Sequence, residues 1–206
     1  MSKGISKGIS KESIVNITLE LIKGRENIRS VNLREIARVL GCAHTNIYNH
    51  FSDLDAIFWE AADHILIRSS DFIYQDLDKI EGYQQKLELF YSRFIQFYLE
   101  NKGWFRLFWI EKLEGERPEK NEVLTREVVE GYVTLLSELY EKVYSVKLDN
   151  KHVMNIFHTV HCYMYGEVAI FIAGRGLIAN EIDFCEHVLK ECLRITELSV
   201  KTFRQK

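Results

Sequence analysis

Five side chains able to exchange hydrogen bonds, His44, Thr45, Asn46, Tyr48 and Asn49, fall within six consecutive positions interrupted only by Ile47. An asparagine can bond an adenine edge with two hydrogen bonds, a threonine can meet a thymine methyl, and a tyrosine hydroxyl can hold a phosphate in register. If Ala43–His50 forms a short second helix, Ile47 turns inward and the polar set stays outside. A polar helix on an apolar platform is what a DNA major groove accepts.

A second group of residues suggests a different chemistry. Between residues 90 and 109 the chain carries Phe90, Tyr91, Phe94, Phe97, Tyr98, Trp104, Phe105, Phe108 and Trp109. A helix such as 104–113, apolar on nearly all sides, is expected to be buried all round, and buried central helices are where bundles build ligand cavities. Tyr132, His158, His161 and Tyr165 add polar contacts. The candidate pocket is therefore Phe94, Tyr98, Trp104, Phe108, Trp109, Tyr132, His158, His161 and Tyr165, with a small apolar or aromatic molecule as its guest. His158, His161 and Cys162 stand at i, i+3 and i+4, a spacing that can meet a metal ion from one helical turn, against the plainer reading of packed histidines and a buried thiol. No metal ligand and no cofactor is assigned. No nucleophile, base and orienter stand in a recognisable relation, so the chain is not read as an enzyme.

The elements that must hold these residues can be traced in order. Residues 1–10 hold a near-repeat, SKGI-SKGIS, too polar and glycine-rich to fold alone, and read as a flexible basic arm. Ser10 caps a first helix on which Ile14, Ile17 and Leu21 share a face until Gly24 ends it. Asn32 caps a second helix with Glu35 at the reciprocal capping-box position; Leu33, Ile36, Ala37 and Leu40 recur at helical spacing, and Gly41 breaks into the next turn. Asp53 caps a long helix carrying Leu54, Ile57, Phe58, Ala61, Ile65 and Leu66. Further helices are expected over about 83–101, 103–114, 120–145, 151–173 and 182–203, with no competing strand alternation. The fold class is all-α. The domains expected are the arm 1–10, a helix-turn-helix DNA-binding domain 11–52, and a helical effector-binding and dimerisation domain 53–206.

Charge supports the division. The net charge of −3 conceals a split: residues 1–50 hold eight Lys/Arg against four Glu, +4, and the remainder carries −7. A basic head on an acidic body is the electrostatic footprint of a DNA-binding module joined to something else. With 47% hydrophobic and 28% charged residues and no apolar run near the roughly 18 residues of a membrane span, the composition is that of a soluble globular protein. The absence of a signal-peptide pattern and the four scattered cysteines place it in the cytoplasm with reduced thiols.

The segment LREIARVLG at 33–41, the helix ending in Tyr48-x-His50-Phe51 and the following Asp53-Leu54-Asp55-Ala56-Ile57 together resemble the head signature of the TetR (tetracycline repressor) family of bacterial transcription regulators. About 48 residues, 10–57, carry the resemblance; the body is similar in helix content and length. The resemblance implies a DNA-contacting set of Asn32, Arg34, His44, Thr45, Asn46, Tyr48, Asn49 and His50, with Tyr48 and His50 at phosphate-contacting positions. Ala43 stands where the family commonly has a serine N-cap, and Leu54 where it commonly has a lysine. It also implies a homodimer formed by the last two long helices, where Cys185, Val188, Leu189 and Cys192 form a stripe that otherwise reads as packing. The implied function is a repressor binding a palindromic operator in double-stranded DNA and released by a small-molecule effector. The alternatives are a body that senses a metal or a protein partner, and a helical enzyme using the aromatic cavity.

Overall fold

The computed structural model describes residues 9–204, so all but the last two positions of the basic arm lie outside the described residues. The described residues are helical throughout, with no strand: α1 Lys11–Ile22, α2 Leu33–Leu40, α3 Leu54–Tyr74, α4 Tyr83–Glu100, α5 Lys102–Phe105, α6 Glu119–Tyr144, α7 Asn150–Ile172 and α8 Glu181–Arg204. The chain forms two compact units: residues 1–65 with 101–122, and residues 66–100 with 123–206. The first unit thus takes in the start of α3 and the segment around α5, whereas the sequence divides the chain at residue 53. No helix among the described residues is long and apolar enough to cross a membrane.

In the first unit, local sequence signals set the helix ends. Ser10 caps α1 by accepting from the Ser13 amide (3.1 Å), and the Ser13 hydroxyl accepts in return from the Ser10 amide (3.0 Å). This reciprocal box assigns Ser13 a role that helix propensity alone would not. Asn32 caps α2 through the Glu35 amide (3.1 Å). The Glu35 carboxylate, expected to close that box, is instead bound by Arg25, so only half of it forms. Asp53 caps α3 through the Ala56 amide (2.8 Å), and that bond is the main reason its carboxyl lies below the usual carboxylate range. The core beneath is aliphatic: Ile14, Val15, Leu19, Ile22, Val31, Ile36, Ile47 and Ile57 have no exposed surface, and Phe58 closes it.

The segment expected as one helix over 103–114 is shorter and of mixed type. After α5 the chain makes a single π turn, Arg106–Ile110, closed by the Glu111 amide on the Arg106 carbonyl (2.8 Å), and helix stops there. Nor is it buried all round, since Trp109 and Ile110 are 38% and 59% exposed. One side of it is fixed to the rest of the unit: the Gly103 amide donates to the Lys23 carbonyl (2.8 Å) and the Trp104 indole to the Leu19 carbonyl (2.8 Å).

In the second unit, α7 and α8 form an antiparallel pair, with Phe171 stacked on Phe184 at one end (4.2 Å) and His152 against Phe203 at the other (4.4 Å). Helix α4 packs on both. At the centre, the Tyr91 hydroxyl lies 2.8 Å from that of Tyr140 and 2.9 Å from that of Thr196, and Thr196 donates to the Cys192 carbonyl (2.8 Å). This buried chain links α4, α6 and α8, and all its hydroxyls are satisfied.

Candidate nucleic-acid interface and the aromatic cluster

The reading segment is built on α2. Gly41 adopts the left-handed conformation (φ 68°) that an L side chain rarely adopts, and the Cys42 amide reaches back to the Ala37 carbonyl (3.0 Å), closing the helix end. Residues His44–Asn49 then form a 3-10 helix instead of the α-helix expected over Ala43–His50. The physical reason is local. Ala43 has no side-chain acceptor for the first amides, and the turn tightens to i→i+3 bonds, Asn46 to Ala43 (3.0 Å) and His50 to Ile47 (2.9 Å).

Ile47 has no exposed surface and pins the turn to the core. Around it His44, Thr45, Asn46, Tyr48 and Asn49 are exposed, Tyr48 by 54%, while His50 is partly covered. On α2, Asn32 and Arg34 are exposed as well, Asn32 with its side-chain oxygen committed to the cap. Of the basic residues in this unit, Arg25 is paired with Glu35, and Arg29 with Asp55 and Glu111. Lys11 lies over the Phe51 ring (5.5 Å), at the far end of the reading turn.

Sequence reasoning missed the side chain that ties this unit together. Arg29 donates from Nη1 to both oxygens of Asp55 (2.9 and 3.0 Å), from Nε to Glu111 (2.7 Å) and from Nη2 to the Lys112 carbonyl (2.6 Å), with its guanidinium over Phe58 (5.6 Å). The same fastening continues along the segment: Arg106 donates to the Arg25 carbonyl (3.0 Å), the Glu114 amide to Asp55 (3.1 Å), and Lys120 pairs with Glu60 (2.8 Å). Arg29 and Asp55 stand 26 positions apart and the other partners 59 to 83, separations that leave no local signal in the sequence.

The second unit gathers five of the nine predicted pocket residues. Phe94 meets Tyr132 edge-on (5.2 Å) and His161 (5.5 Å); His161 lies 3.9 Å from Tyr165, and Tyr165 meets Tyr98 edge-on (5.6 Å). Phe90, Phe157 and Tyr74 complete the cluster, 5.5, 5.9 and 5.8 Å from Tyr132; Phe157 and Tyr74 were not singled out from sequence because one ring per helix face reads as core. Burial pushes the His161 imidazole down to about 3, so it is neutral; the phenol of Tyr132 is pushed up for the same reason and stays protonated.

The other four predicted pocket residues lie elsewhere. Trp104, Phe108 and Trp109 belong to the first unit, and His158 is exposed. Its ring contacts the Cys162 thiol (3.7 Å) on the outer face of α7, whereas His161 lies among the rings, so the i, i+3, i+4 trio is split. Among the described residues no group of three or more His, Cys, Asp or Glu is arranged to hold a metal ion. Of the predicted interface stripe, Val188 and Cys192 have no exposed surface and pack into their own unit; only Cys185 and Leu189 keep part of theirs. Val188 and Cys192 thus serve the internal core.

No family model matches the chain. It is similar to an uncharacterized HTH-type transcriptional regulator of Haemophilus influenzae, 24% identical over 105 residues, 51% of this chain and 51% of that protein. The chain thus spans about half the length of that curated relative in the match. Among solved structures it is similar to a TetR-family transcriptional regulator from Streptomyces coelicolor, with a TM-score of 0.67 at 13% identity over 92% of this chain and 84% of that one. It is also similar to a TetR variant from Acinetobacter baumannii AYE in complex with minocycline, with a TM-score of 0.64 at 17% identity over 96% and 98% of the two chains. At such identities these likenesses show the fold.

Proposed function

We propose that this chain, which has the fold of the TetR-family transcriptional regulators, is a DNA-binding regulator acting as a homodimer on a palindromic operator, and that it is a repressor released by a small molecule held in its second unit. The observation that carries the reading is the turn His44–Asn49, where five exposed hydrogen-bonding side chains surround a fully buried Ile47. Exposed polar groups on a rigid anchor suit base and phosphate contacts, and so short a reader covers only a few base pairs. Two copies related by a two-fold axis would read two half-sites. The outward faces of α7 and α8 are the proposed dimer surface, with Cys185 and Leu189 the members of the predicted stripe still available to it. The aromatic cluster is the proposed effector site, a reading supported by the similar structure that holds minocycline.

Release by an effector requires that it bind the two states of the regulator with different affinity. Helix α3 runs from the first unit into the second and is the proposed lever. The test is an electrophoretic shift of the intergenic DNA beside the chain's own gene. Asn49→Ala removes a base contact that is worth about 1–3 kcal/mol, and so weakens binding roughly tenfold or more. Tyr48→Ala removes an uncharged phosphate contact, so it weakens binding across sequences and leaves its salt dependence unchanged. Both side chains are exposed, so folding and dimer mass stay unchanged. Wild-type binding by both variants would sink the assignment.

A further inference from the structure

We infer that the aromatic cluster of the second unit takes a flat, uncharged ligand bearing a carbonyl-type acceptor, and that the Tyr132 hydroxyl is the group that binds it. The inference rests on the effector-site reading above and names the class of molecule. Its first support is an unpaired group. Tyr132 is 3% exposed, and its buried hydroxyl has no hydrogen-bond partner. Ser69 and Ser70 lie near enough to ease its ionisation but not in bonding geometry, and the Ser69 hydroxyl already donates to the Leu66 carbonyl (2.8 Å). Buried hydroxyls almost always find partners, and an orphaned one in a native protein calls for an explanation. An acceptor that arrives with a ligand supplies it.

Shape supplies the second support. Rings from four helices surround the site: Tyr74 from α3, Phe94 and Tyr98 from α4, Tyr132 from α6, and Phe157 and His161 from α7. Phe94, Tyr98 and Tyr132 are closed off, and His161 and Tyr165 are half-buried on α7. Aromatic faces there offer stacking and edge contacts to a planar guest.

Charge supplies the third. None of the ring-bearing side chains is ionised at neutral pH, His161 included. A carboxylate or ammonium ligand among them would be a buried charge without a counter-ion, which is strongly unfavourable. A carbonyl oxygen needs one O–H, and Tyr132 has one to give.

The test uses the full chain and three probes of one shape: 9-fluorenone, with a carbonyl; fluorene, without one; and fluorene-9-carboxylate, charged. Affinities are measured by isothermal titration calorimetry for wild type and Tyr132→Phe, with a urea midpoint for each. Wild type should bind fluorenone about tenfold tighter than either other probe, and Tyr132→Phe should bind fluorenone only as well as fluorene. The variant's midpoint should be unchanged or higher, because the orphaned hydroxyl is gone and the ring remains. The inference is overturned by equal wild-type affinity for fluorenone and fluorene, by tight carboxylate binding, by binding of none of the three, or by a lowered midpoint, which would show the hydroxyl already satisfied. Should the variant not fold, the wild-type comparison of the three probes decides alone. The operator assay is separate: operator binding without fluorenone binding ends this inference, and fluorenone binding without operator binding ends the regulator reading.

Discussion

Replacing Gly103 by alanine tests how tightly the α5 segment is fastened to the first unit. A Cβ at this position would fall well inside contact distance of the Ile22 carbonyl oxygen and within 2.6 Å of its carbon and 3.0 Å of the Lys23 oxygen. All three are backbone atoms, so no side chain can rotate aside. Overpacking of this kind costs about 1–3 kcal/mol. The shift that relieves it pulls the Gly103 amide from the Lys23 carbonyl (2.8 Å), a loss of about 1 kcal/mol. Alanine returns up to about 1 kcal/mol through helix propensity. The sum is a destabilisation of about 2 kcal/mol. All three tryptophans, Trp59, Trp104 and Trp109, lie in the first unit, so a urea titration followed by tryptophan fluorescence reads that unit alone. Gly24→Ala is the control, because a Cβ there meets nothing within 4 Å and the backbone is unstrained; it should be neutral or slightly stabilising. A loss below about 0.5 kcal/mol for Gly103→Ala, or equal losses for the two variants, would refute the close approach of α5 to α1.

Two further outcomes follow from the second unit. Tyr140→Phe removes the 2.8 Å bond to Tyr91 and should cost about 1 kcal/mol in a urea titration followed by circular dichroism; an unchanged midpoint would mean that the hydroxyl chain contributes nothing. His161, pushed from 6.5 to about 3, binds its proton in the unfolded chain first, so its stabilisation is full above pH 6.5 and falls as the pH drops towards 3, by up to about 1.4 kcal/mol per unit. His161→Phe should therefore lose less stability than wild type between pH 6 and pH 4, and equal losses would show that the imidazole is not held neutral.

What could be read from sequence was whatever depends on neighbours along the chain. Ser10, Asn32 and Asp53 cap the helices they precede, Gly41 takes the left-handed turn, and Ile47 is the one inward residue of the reading segment. Each is decided by a few adjacent residues. Residue pattern points to an α-helix over Ala43–His50 where the chain forms a 3-10 turn, because the choice between the two rests on small differences that pattern does not resolve. Long-range partners were invisible. Nothing near Arg29 in sequence announces Glu111, and nothing near Gly103 announces the α1 carbonyls that require a glycine there. The run of aromatics from 90 to 109 looked like one cluster because it is continuous in sequence. The fold divides it, giving Phe94 and Tyr98 to one unit and Trp104, Phe108 and Trp109 to the other.

Two sets of buried tyrosines in the second unit show why burial alone does not identify a site. Tyr91 and Tyr140 are as deeply buried as Tyr98 and Tyr132, and desolvation raises the phenols of Tyr91, Tyr140 and Tyr132 alike. Tyr91 and Tyr140 donate and accept within a closed chain that ends on the Cys192 carbonyl, so their hydroxyls are satisfied in the free protein and join α4, α6 and α8. Tyr132 has no such partner, and its hydroxyl raises the free energy of the unliganded fold by an amount of order 1–3 kcal/mol. A phenylalanine would fill the same space without that cost. Removing a hydroxyl should thus have opposite effects on stability at the two places: destabilising at Tyr140, and neutral or stabilising at Tyr132. A structural polar network and a poised binding group of identical chemistry are told apart by that sign.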